Sequence, residues 1–240
     1  MIHPTSFISP SAQIAEDVII GPFCHIGEGV VIKSGCELAA HVIIRESVTL
    51  QENVKIFSYA KIGNDHCSVE IGKHTHIREF CLIGTQNDSD HPLTIEEGCF
   101  IMAYVQVYPG CTIETSSIIT NLVTLKERVT LEEKVIVGGL STIEQNNTIG
   151  TGVMIGGASY ITHDMPPYCL VEGNRATIKG LNNVGLRRRF ENKKDIEAIR
   201  TSFKKIFREG IDKKMAEEIA KQSSNVYATK FARFIATSNI

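Results

Sequence analysis

Residues 95–125 read IEEGCFIMAYVQVYPGCTIETSSIITNLVTL, and every sixth residue of this stretch is aliphatic. These sites are Ile95, Ile101, Val107, Ile113, Ile119 and Leu125. The same spacing covers residues 2–62 and, after a slip of three residues, residues 71–161, with Ser89 as its exception. A short fixed period over most of a chain is typical of a solenoid, in which similar units stack on one another.

A second column of small side chains stands two residues before the aliphatic one. Val105 and Cys111, which precede Val107 and Ile113, are examples. Side chains of a strand alternate between its two faces, so both columns point into the core. A six-residue period matches neither a helix nor a plain strand, but it fits a short strand, a corner and the next strand. The sequence therefore predicts a mainly β fold, a β-helix of hexapeptide repeats.

The chain has seven cysteines, and most of them fall in the column of small inward side chains. Those that do are Cys24, Cys36, Cys81, Cys99 and Cys111. A thiol at such a position behaves as a modest hydrophobic group, and there is no CxxC pair of the kind that binds zinc. We expect reduced, packed cysteines, no metal site and no cofactor. A metal-dependent hydratase would need three converging imidazoles, for which His74, His76 and His91 are the candidates.

No targeting or membrane segment is recognisable in the sequence. The N-terminus enters the repeat at once, and no apolar run approaches the roughly 18 residues of a membrane span. We therefore expect a cytoplasmic protein without an integral membrane segment.

Two stretches interrupt the repeat. Residues 63–70 are three residues too long for a regular unit. Residues 84–92 preserve the six-residue spacing but are polar and rich in turn residues. The second stretch therefore predicts a loop. Such departures tend to map to the binding face of a solenoid, although a tolerated surface loop explains the first stretch equally well.

The repeat ends near Ile161, because Pro166 and Pro167 cannot continue a strand ladder. Beyond residue 191 the apolar residues recur at helical spacing. They form three groups: Ile196, Ile199, Phe203, Ile206 and Phe207; Ile211, Met215 and Ile219; Val226, Tyr227, Phe231, Phe234 and Ile235. We predict a β-helix domain over residues 1–185 and a basic three-helix domain over residues 186–240.

Charge divides unevenly between these two parts. Residues 187–240 hold 14 Lys and Arg against 7 Asp and Glu, whereas the remainder holds 11 against 20. A basic surface of this kind steers an acidic partner, and the candidate residues are Arg187, Arg188, Arg189, Lys193 and Lys194. A solvated face without a partner is the alternative. Nucleic acid is not indicated, because no recognition motif is present and the aromatic residues fall at core spacing.

Several motifs together resemble one family. They are IGPFC at residues 20–24, HIRE at 76–79, DMPPY at 164–168, EGNRAT at 172–177, GLN at 180–182 and GLRRR at 185–189. The sequence resembles the acyl-carrier-protein-dependent UDP-N-acetylglucosamine O-acyltransferases that start lipid A synthesis. The resemblance implies a left-handed parallel β-helix with three hexapeptides per coil, and a homotrimer with active sites between subunits. It also implies acyl carrier protein as a partner and a UDP-sugar as a possible ligand.

The resemblance also marks catalytic positions at which this chain differs. The family carries its general base in a His-x-x-His-x-Cys stretch, which aligns with QVYPGC at residues 106–111. The base position is Pro109, whose side chain accepts no proton, and the other histidine is replaced by Gln106, an amide that is no base near neutral pH. Two further family histidines are replaced by Arg128 and Glu144. Glu144 is a possible substitute base.

We assign Gln106, Tyr108, Arg128, Gln145 and Asn182 to the ligand cleft that the resemblance implies. Arg128 and Glu144 are 16 residues apart, close to one coil, so we expect an ion pair between them.

Three functions remain open at this point. The first is a binding protein, which docks acyl carrier protein through the basic tail and holds its acyl chain between subunits without lipid A acyltransferase activity. The second is an acyltransferase that acts on a nucleotide sugar with a different base. The third is a structural trimer that pairs with a paralogous subunit. Loss of a general base costs about 10²–10⁴ in rate, which favours the first.

Overall fold

The chain folds into a long solenoid of short strands followed by helices. The computed structural model describes residues 1–85 and 91–240. Within these residues 27 strands form three sheets that run along the solenoid. The loop expected over residues 84–92 falls largely on residues 86–90, outside the described part of the chain.

Each sheet takes one strand from every coil. Sheet 1 consists of β1 (Phe7–Ile8), β4 (His25–Ile26), β7 (Ile43–Ile44), β10 (Lys61–Ile62), β13 (Leu82–Ile83), β16 (Gln106–Val107), β19 (Thr124–Leu125), β22 (Thr142–Ile143) and β25 (Tyr160–Ile161). Sheet 2 consists of β2 (Gln13–Ile14), β5 (Val31–Ile32), β8 (Val48–Leu50), β11 (Val69–Ile71), β14 (Leu93–Ile95), β17 (Thr112–Ile113), β20 (Thr130–Leu131) and β23 (Thr148–Ile149). Sheet 3 consists of β3 (Ile19–Ile20), β6 (Glu37–Leu38), β9 (Lys55–Ile56), β12 (His76–Ile77), β15 (Phe100–Ile101), β18 (Ile118–Ile119), β21 (Ile136–Val137), β24 (Met154–Ile155), β26 (Cys169–Glu172) and β27 (Thr177–Leu181).

Consecutive coils are in register. Gln106 pairs with Thr124, and Thr124 pairs with Thr142, so a regular coil contains 18 residues. All pairings are parallel except that β27 returns antiparallel to β26. The structure is therefore a parallel β-solenoid of about nine coils, as the six-residue period predicts.

The aliphatic column that the period predicts forms the core. Ile95, Ile101 and Ile113 are fully buried, and the small side chains of Val105 and Cys111 are buried beside them. Each large side chain stabilises the fold by about 1.5–3 kcal/mol, because its burial removes apolar surface from water. The first residue of each two-residue strand points outward, so the outer surface can vary without disturbing this core.

The regular corners are tight turns whose second residue has a positive φ. Examples are Tyr104 (62°), Arg128 (54°) and Asn146 (64°). This conformation disfavours L-residues by roughly 1–2 kcal/mol, and hydrogen bonds between coils hold it, such as that from Asn146 N–H to Glu127 O at 3.0 Å. Stacking of the coils therefore imposes the corner conformation on residues that do not favour it.

All seven cysteines are buried free thiols. Burial raises the pKa of the Cys81 thiol to about 12 and that of the Cys111 thiol to about 12. The thiolate is the form that attacks electrophiles and binds metals, and it is scarce at neutral pH when the pKa is this high. The cysteines act as core side chains.

Four helices follow the solenoid: α1 (Asn183–Arg189), α2 (Lys193–Ile206), α3 (Lys213–Gln222) and α4 (Val226–Thr237). Side-chain oxygens of Asn182, Asn192, Asp212 and Asn225 accept hydrogen bonds from amides of the first turns, which satisfies donors that a helix leaves unpaired. Within the described ranges, no helix combines the length and the apolar character needed to cross a bilayer.

Helices α2 to α4 correspond to the three predicted groups of apolar residues, except that Phe207 and Ile211 lie just outside α2 and α3. Helix α1 was not predicted. Helix α1 has seven residues, of which only Leu186 is buried. So short a segment shows no helical period in the sequence. The boundary predicted between residues 185 and 186 falls inside this helix.

Ile44→Ala should lower the free energy of unfolding by about 2–5 kcal/mol, because it opens a cavity in the core. Ile43→Ala is the matched control, since Ile43 points outward and is 38% exposed whereas Ile44 is fully buried. We expect the control to cost less than about 1 kcal/mol. Urea unfolding followed by circular dichroism measures both changes. Equal losses would contradict the division into inward and outward columns.

Candidate functional site

A cleft of about 750 Å³ lies between sheet 3 and α1. Most of its lining is apolar, with contributions from Ile136, Met154, Tyr168, Leu170, Leu181, Val184 and Leu186. The cationic residues Lys134, Arg188 and Arg189 line the same cleft. An apolar groove with a few cations suits a ligand that has a long alkyl part and an anionic or polar end.

The floor of the cleft is a column of outward side chains on sheet 3. Ile136 pairs with Met154, and Met154 pairs with Leu170. Three apolar side chains therefore stack along the solenoid on its outer face. Contiguous apolar surface outside the core is typical of a binding site.

Asn182 connects the solenoid to α1, which forms the wall of the cleft opposite sheet 3. Its Nδ2 donates a hydrogen bond to Gly152 O at 3.1 Å, and its backbone N–H donates to Tyr168 O at 2.7 Å. Its Oδ1 accepts from Gly185 N–H at 2.9 Å and so caps α1. A Cβ at position 185 would come within 2.4 Å of the Asn182 side chain, so this contact requires glycine.

Arg189 is the buried member of the predicted basic cluster. Its guanidinium pairs with Glu133, its side chain is only 14% exposed, and it lies 5.7 Å from the centre of the Tyr168 ring. Burial raises the pKa of the Tyr168 phenol to about 12, so the ring stays neutral beside the cation. Arg189 Nη1 is buried and has no hydrogen-bond partner among the described residues.

The other four predicted binding cations are exposed. Arg187 and Arg188 lie in the last turn of α1, where the helix dipole favours positive charge. Lys193 and Lys194 begin α2. These four side chains are accessible to a partner, whereas Arg189 is occupied by its contacts within the chain.

The remaining predicted ligand residues lie on a different side of the solenoid. Gln106 is on the outer side of sheet 1, and Tyr108 directly follows the same strand. Arg128 and Gln145 are exposed at the corner between sheets 1 and 2. The cleft beside Asn182 belongs to sheet 3 and α1. One chain therefore does not bring Asn182 together with the other four residues.

Pro109, which the resemblance aligns with the family's base, is buried. Its carbonyl accepts a hydrogen bond from Arg128 N–H at 3.2 Å. The carbonyl of His91 accepts from Gly110 N–H at 3.2 Å and from Cys67 Sγ at 3.0 Å. The polar groups of this corner are used in packing, and Pro109 brings no proton acceptor to it.

Glu144, the possible substitute base, accepts a hydrogen bond from the Tyr160 phenol at 2.9 Å, which raises the pKa of Tyr160. Arg128 Nε instead donates to Asn146 Oδ1 at 2.7 Å. The prediction of an ion pair between Arg128 and Glu144 is wrong. Among the described side chains, no hydrogen bond or salt bridge joins these two residues. The reason is register, because the residue one full coil from Arg128 is Asn146. Sequence reasoning missed Tyr160, although the 18-residue repeat places it beside Thr142.

The three candidate metal-binding histidines do not converge within the chain. His76 lies on β12 of sheet 3, His74 lies at a corner with a φ of 56°, and His91 precedes β14 of sheet 2. In the described ranges, no group of three or more His, Cys, Asp or Glu side chains is arranged to hold a metal ion.

A parallel β-solenoid built on a six-residue period defines a hexapeptide-repeat protein. Residues 164–240 match the family model described as Udp N-acetylglucosamine O-acyltransferase, domain 2, and residues 1–121 match that of the GMPPB C-terminal domain. The acyl-[acyl-carrier-protein]–UDP-N-acetylglucosamine O-acyltransferase of Campylobacter curvus is 38% identical over 98% of this chain and 94% of its own length. That of Campylobacter jejuni is 41% identical over 98% of this chain and 93% of its own.

Solved structures of similar proteins indicate the same family as these relatives. LpxA from Acinetobacter baumannii is 31% identical and superposes with a TM-score of 0.91 over 99% of this chain and 97% of its own. UDP-N-acetylglucosamine acyltransferase from Campylobacter jejuni is 33% identical, with a TM-score of 0.83 over 100% and 97%. This chain belongs to the acyl-[acyl-carrier-protein]–UDP-N-acetylglucosamine O-acyltransferase family.

Arg189→Ala should lower the free energy of unfolding by about 1–3 kcal/mol, because it leaves Glu133 without its partner and removes a cation from the Tyr168 ring. Arg187→Ala, an equivalent truncation of an exposed residue on the same helix, should change it by less than about 0.5 kcal/mol. Chemical unfolding of both variants and of the wild type measures the difference. If the two variants lose the same stability, the buried role of Arg189 is wrong.

Proposed function

We propose that the protein binds acyl carrier protein and holds its acyl chain in the cleft between sheet 3 and α1, without UDP-N-acetylglucosamine acyltransferase activity. The observation that supports the proposal is an apolar cleft lined by cations. In the same chain, Pro109 occupies the position that the resemblance aligns with the family's general base. The cleft offers affinity for an acyl chain, and Pro109 offers no means of deprotonating an acceptor alcohol.

The acyl chain would gain affinity from the apolar floor. Burial of alkyl surface against Ile136, Met154 and Leu170 contributes about 25 cal/mol for each Å² removed from water. Arg188, which lines the same cleft and is exposed, would donate to a carbonyl or phosphate oxygen of the ligand. A donor of this kind orients the polar end of an otherwise apolar ligand.

The carrier protein itself would contact the exposed cations. Arg187, Arg188, Lys193 and Lys194 surround the end of α1 and the start of α2, next to the cleft that Arg188 lines. Charge complementarity of this type mainly speeds association and makes it sensitive to salt.

The proposal includes a homotrimer. Gln106, Tyr108, Arg128 and Gln145 lie on the side of sheet 1, whereas the cleft and Asn182 lie on the side of sheet 3. Side-by-side packing of copies would place sheet 3 of one against sheet 1 of the next. A cyclic arrangement closes such a head-to-tail contact, and the cleft would then be completed by a neighbouring subunit.

A second candidate function is acyl transfer to another nucleotide sugar with Glu144 as the base. The hydrogen bond from Tyr160 at 2.9 Å favours it, because that bond fixes the carboxylate on the outer surface. If Glu144→Gln abolishes turnover that the wild type shows with any member of a panel of UDP-sugars, this second function replaces the first.

Binding should be lost in two separable ways. Arg187→Ala with Arg188→Ala should weaken binding of acyl carrier protein about tenfold at low salt and reduce its salt dependence. Lys213→Ala with Lys214→Ala removes the same charge elsewhere on the tail and should change affinity less.

Ile136→Arg should weaken binding of the acylated carrier but not of the carrier without an acyl chain. Titration calorimetry measures these affinities, and absence of binding at low salt would end the proposal.

Turnover of UDP-N-acetylglucosamine should be at least about 100-fold slower than that of the Campylobacter jejuni relative assayed in parallel, because Pro109 has no side-chain proton acceptor. Product release from labelled acyl carrier protein is a suitable measure. A rate comparable with that of the relative would contradict a non-catalytic role.

A further inference from the structure

The cations of the cleft between sheet 3 and α1 are not chemically equivalent. Among the described residues that line it, Lys134 carries the one primary amine, whereas Arg188 and Arg189 carry guanidinium groups. A guanidinium stays protonated in proteins, but a lysine amine that has released its proton is a nucleophile. Lys134 is therefore the cation of the cleft that can form a covalent bond with a ligand.

The remaining candidate nucleophile of the cleft is the phenol of Tyr168. Its side chain is buried, and burial raises the pKa of the Tyr168 phenol to about 12, so the oxygen stays neutral and covered. The described lining contains no Ser, Thr, Cys or His side chain. Nucleophilic attack on a ligand in this cleft therefore falls to Lys134.

The coil that follows Lys134 leaves space beside it. The equivalent residue one coil later is Gly152, whose N–H donates to Glu133 O at 3.0 Å. A Cβ at position 152 would lie 3.5 Å from the Tyr168 ring and 3.6 Å from Arg189 Nη1. Neighbouring coils are only about 4.8 Å apart, so the four-carbon side chain of Lys134 is long enough to extend along the edge of the cleft that glycine leaves open.

The amine of Lys134 has no competing contact within the described part of the chain. Its side chain is exposed, and its Nζ forms no salt bridge or hydrogen bond there. The adjacent carboxylate of Glu133 is paired with Arg189 instead. The backbone of Lys134 is held by a hydrogen bond from its N–H to Thr115 O at 2.9 Å. The residue thus combines a fixed backbone with an unpaired amine at the cleft.

We propose that Lys134 is a site of covalent acylation, at which an acyl thioester that enters the cleft transfers its acyl group to Nζ. The proposal rests on the proposed binding of acyl carrier protein and goes beyond it. With the alkyl chain on Ile136 and Met154, Arg188 would donate to the carbonyl oxygen of the thioester at the cationic side of the cleft. An amine held beside a bound electrophile has a high effective concentration.

The step exchanges one bond for another. The free amine of Lys134 attacks the carbonyl carbon of the thioester, a C–N bond forms and the C–S bond breaks. The carrier leaves as its thiol, which takes up the proton that the nitrogen loses. The products are an amide on Lys134 and the unacylated carrier. A free amine attacks with its own lone pair, so this step does not need the general base that Pro109 fails to provide.

The experiment incubates the intact chain with acyl carrier protein loaded with decanoyl, tetradecanoyl or hexadecanoyl chains. Mass spectrometry should show one acyl group per chain that survives hydroxylamine, which cleaves esters and thioesters but not amides, and fragmentation should place it on Lys134. Lys134→Arg, which keeps the charge, should lower incorporation about tenfold. Lys221→Arg is the matched control, because Lys221 is exposed in the last turn of α3, and incorporation should stay at the wild-type level.

Ile136→Arg tests whether the acyl chain must occupy the cleft. It leaves the amine of Lys134 in place but interrupts the apolar floor, so acylation of Lys134 should fall about tenfold. A lysine that reacts from solution, without a bound acyl chain, would be labelled equally in this variant and the wild type. Circular dichroism confirms that each variant is folded.

Titration calorimetry on the same proteins separates this inference from the proposed function. Binding of the acylated carrier without an amide on Lys134 would overturn the acylation site and leave the proposed function standing. Amides spread evenly over the exposed lysines would overturn it as well, as would equal labelling of Lys134 in the wild type and in folded Ile136→Arg. Absence of both binding and label would contradict the proposed function and the acylation site together.

Discussion

The hydrogen bond from each strand to the strand one coil later is the interaction on which the rest of this structure depends. Tyr108 N–H donates to Leu125 O at 2.9 Å, and Lys126 N–H donates to Ile143 O at 3.0 Å. Such bonds satisfy backbone groups that the fold removes from water. They keep the strands of neighbouring coils in register even where a corner is longer, as between β8 and β11, so side chains at equivalent positions align in columns. The core and the floor of the cleft are both built from such columns.

This arrangement allows residues on the outer surface to vary while the fold persists. The stability of the core comes from inward columns, and Gln106, Arg128 and Glu144 lie on or beside outward positions. Proline is tolerated at position 109 because the first residue of a turn can have a fixed φ and needs no N–H partner. Glu144 and Arg128 form side-chain hydrogen bonds with Tyr160 and Asn146, and the backbone pairing between these coils stays regular.

The sequence predicts those features that depend on counting along the chain. The period of six gives the inward columns, and helical spacing gives α2 to α4. Helix α1 escaped prediction because its order comes from the Asn182 cap and a single buried leucine. The pairing of Arg128 was predicted incorrectly, because Arg128 lies in a turn and donates to Asn146 at the equivalent position of the next coil, whereas Glu144 directly follows a strand and accepts from Tyr160. Apolar outward residues such as Met154 carry no sign in the sequence that they line a cleft.

The sequence alone was sufficient to predict the solenoid, because a regular six-residue period lets each coil form the same hydrogen bonds with the next one. Contacts between the helical tail and the coils were decided by the folded structure alone. Arg189 meets Glu133 across 56 residues of sequence, and Lys230 meets Glu132 at 2.9 Å. No period connects these positions, since each contact depends on how the tail turns back onto the solenoid. For that reason the sequence predicts Arg189 to be exposed like its neighbours, whereas in the structure it is buried and supports the wall of the cleft.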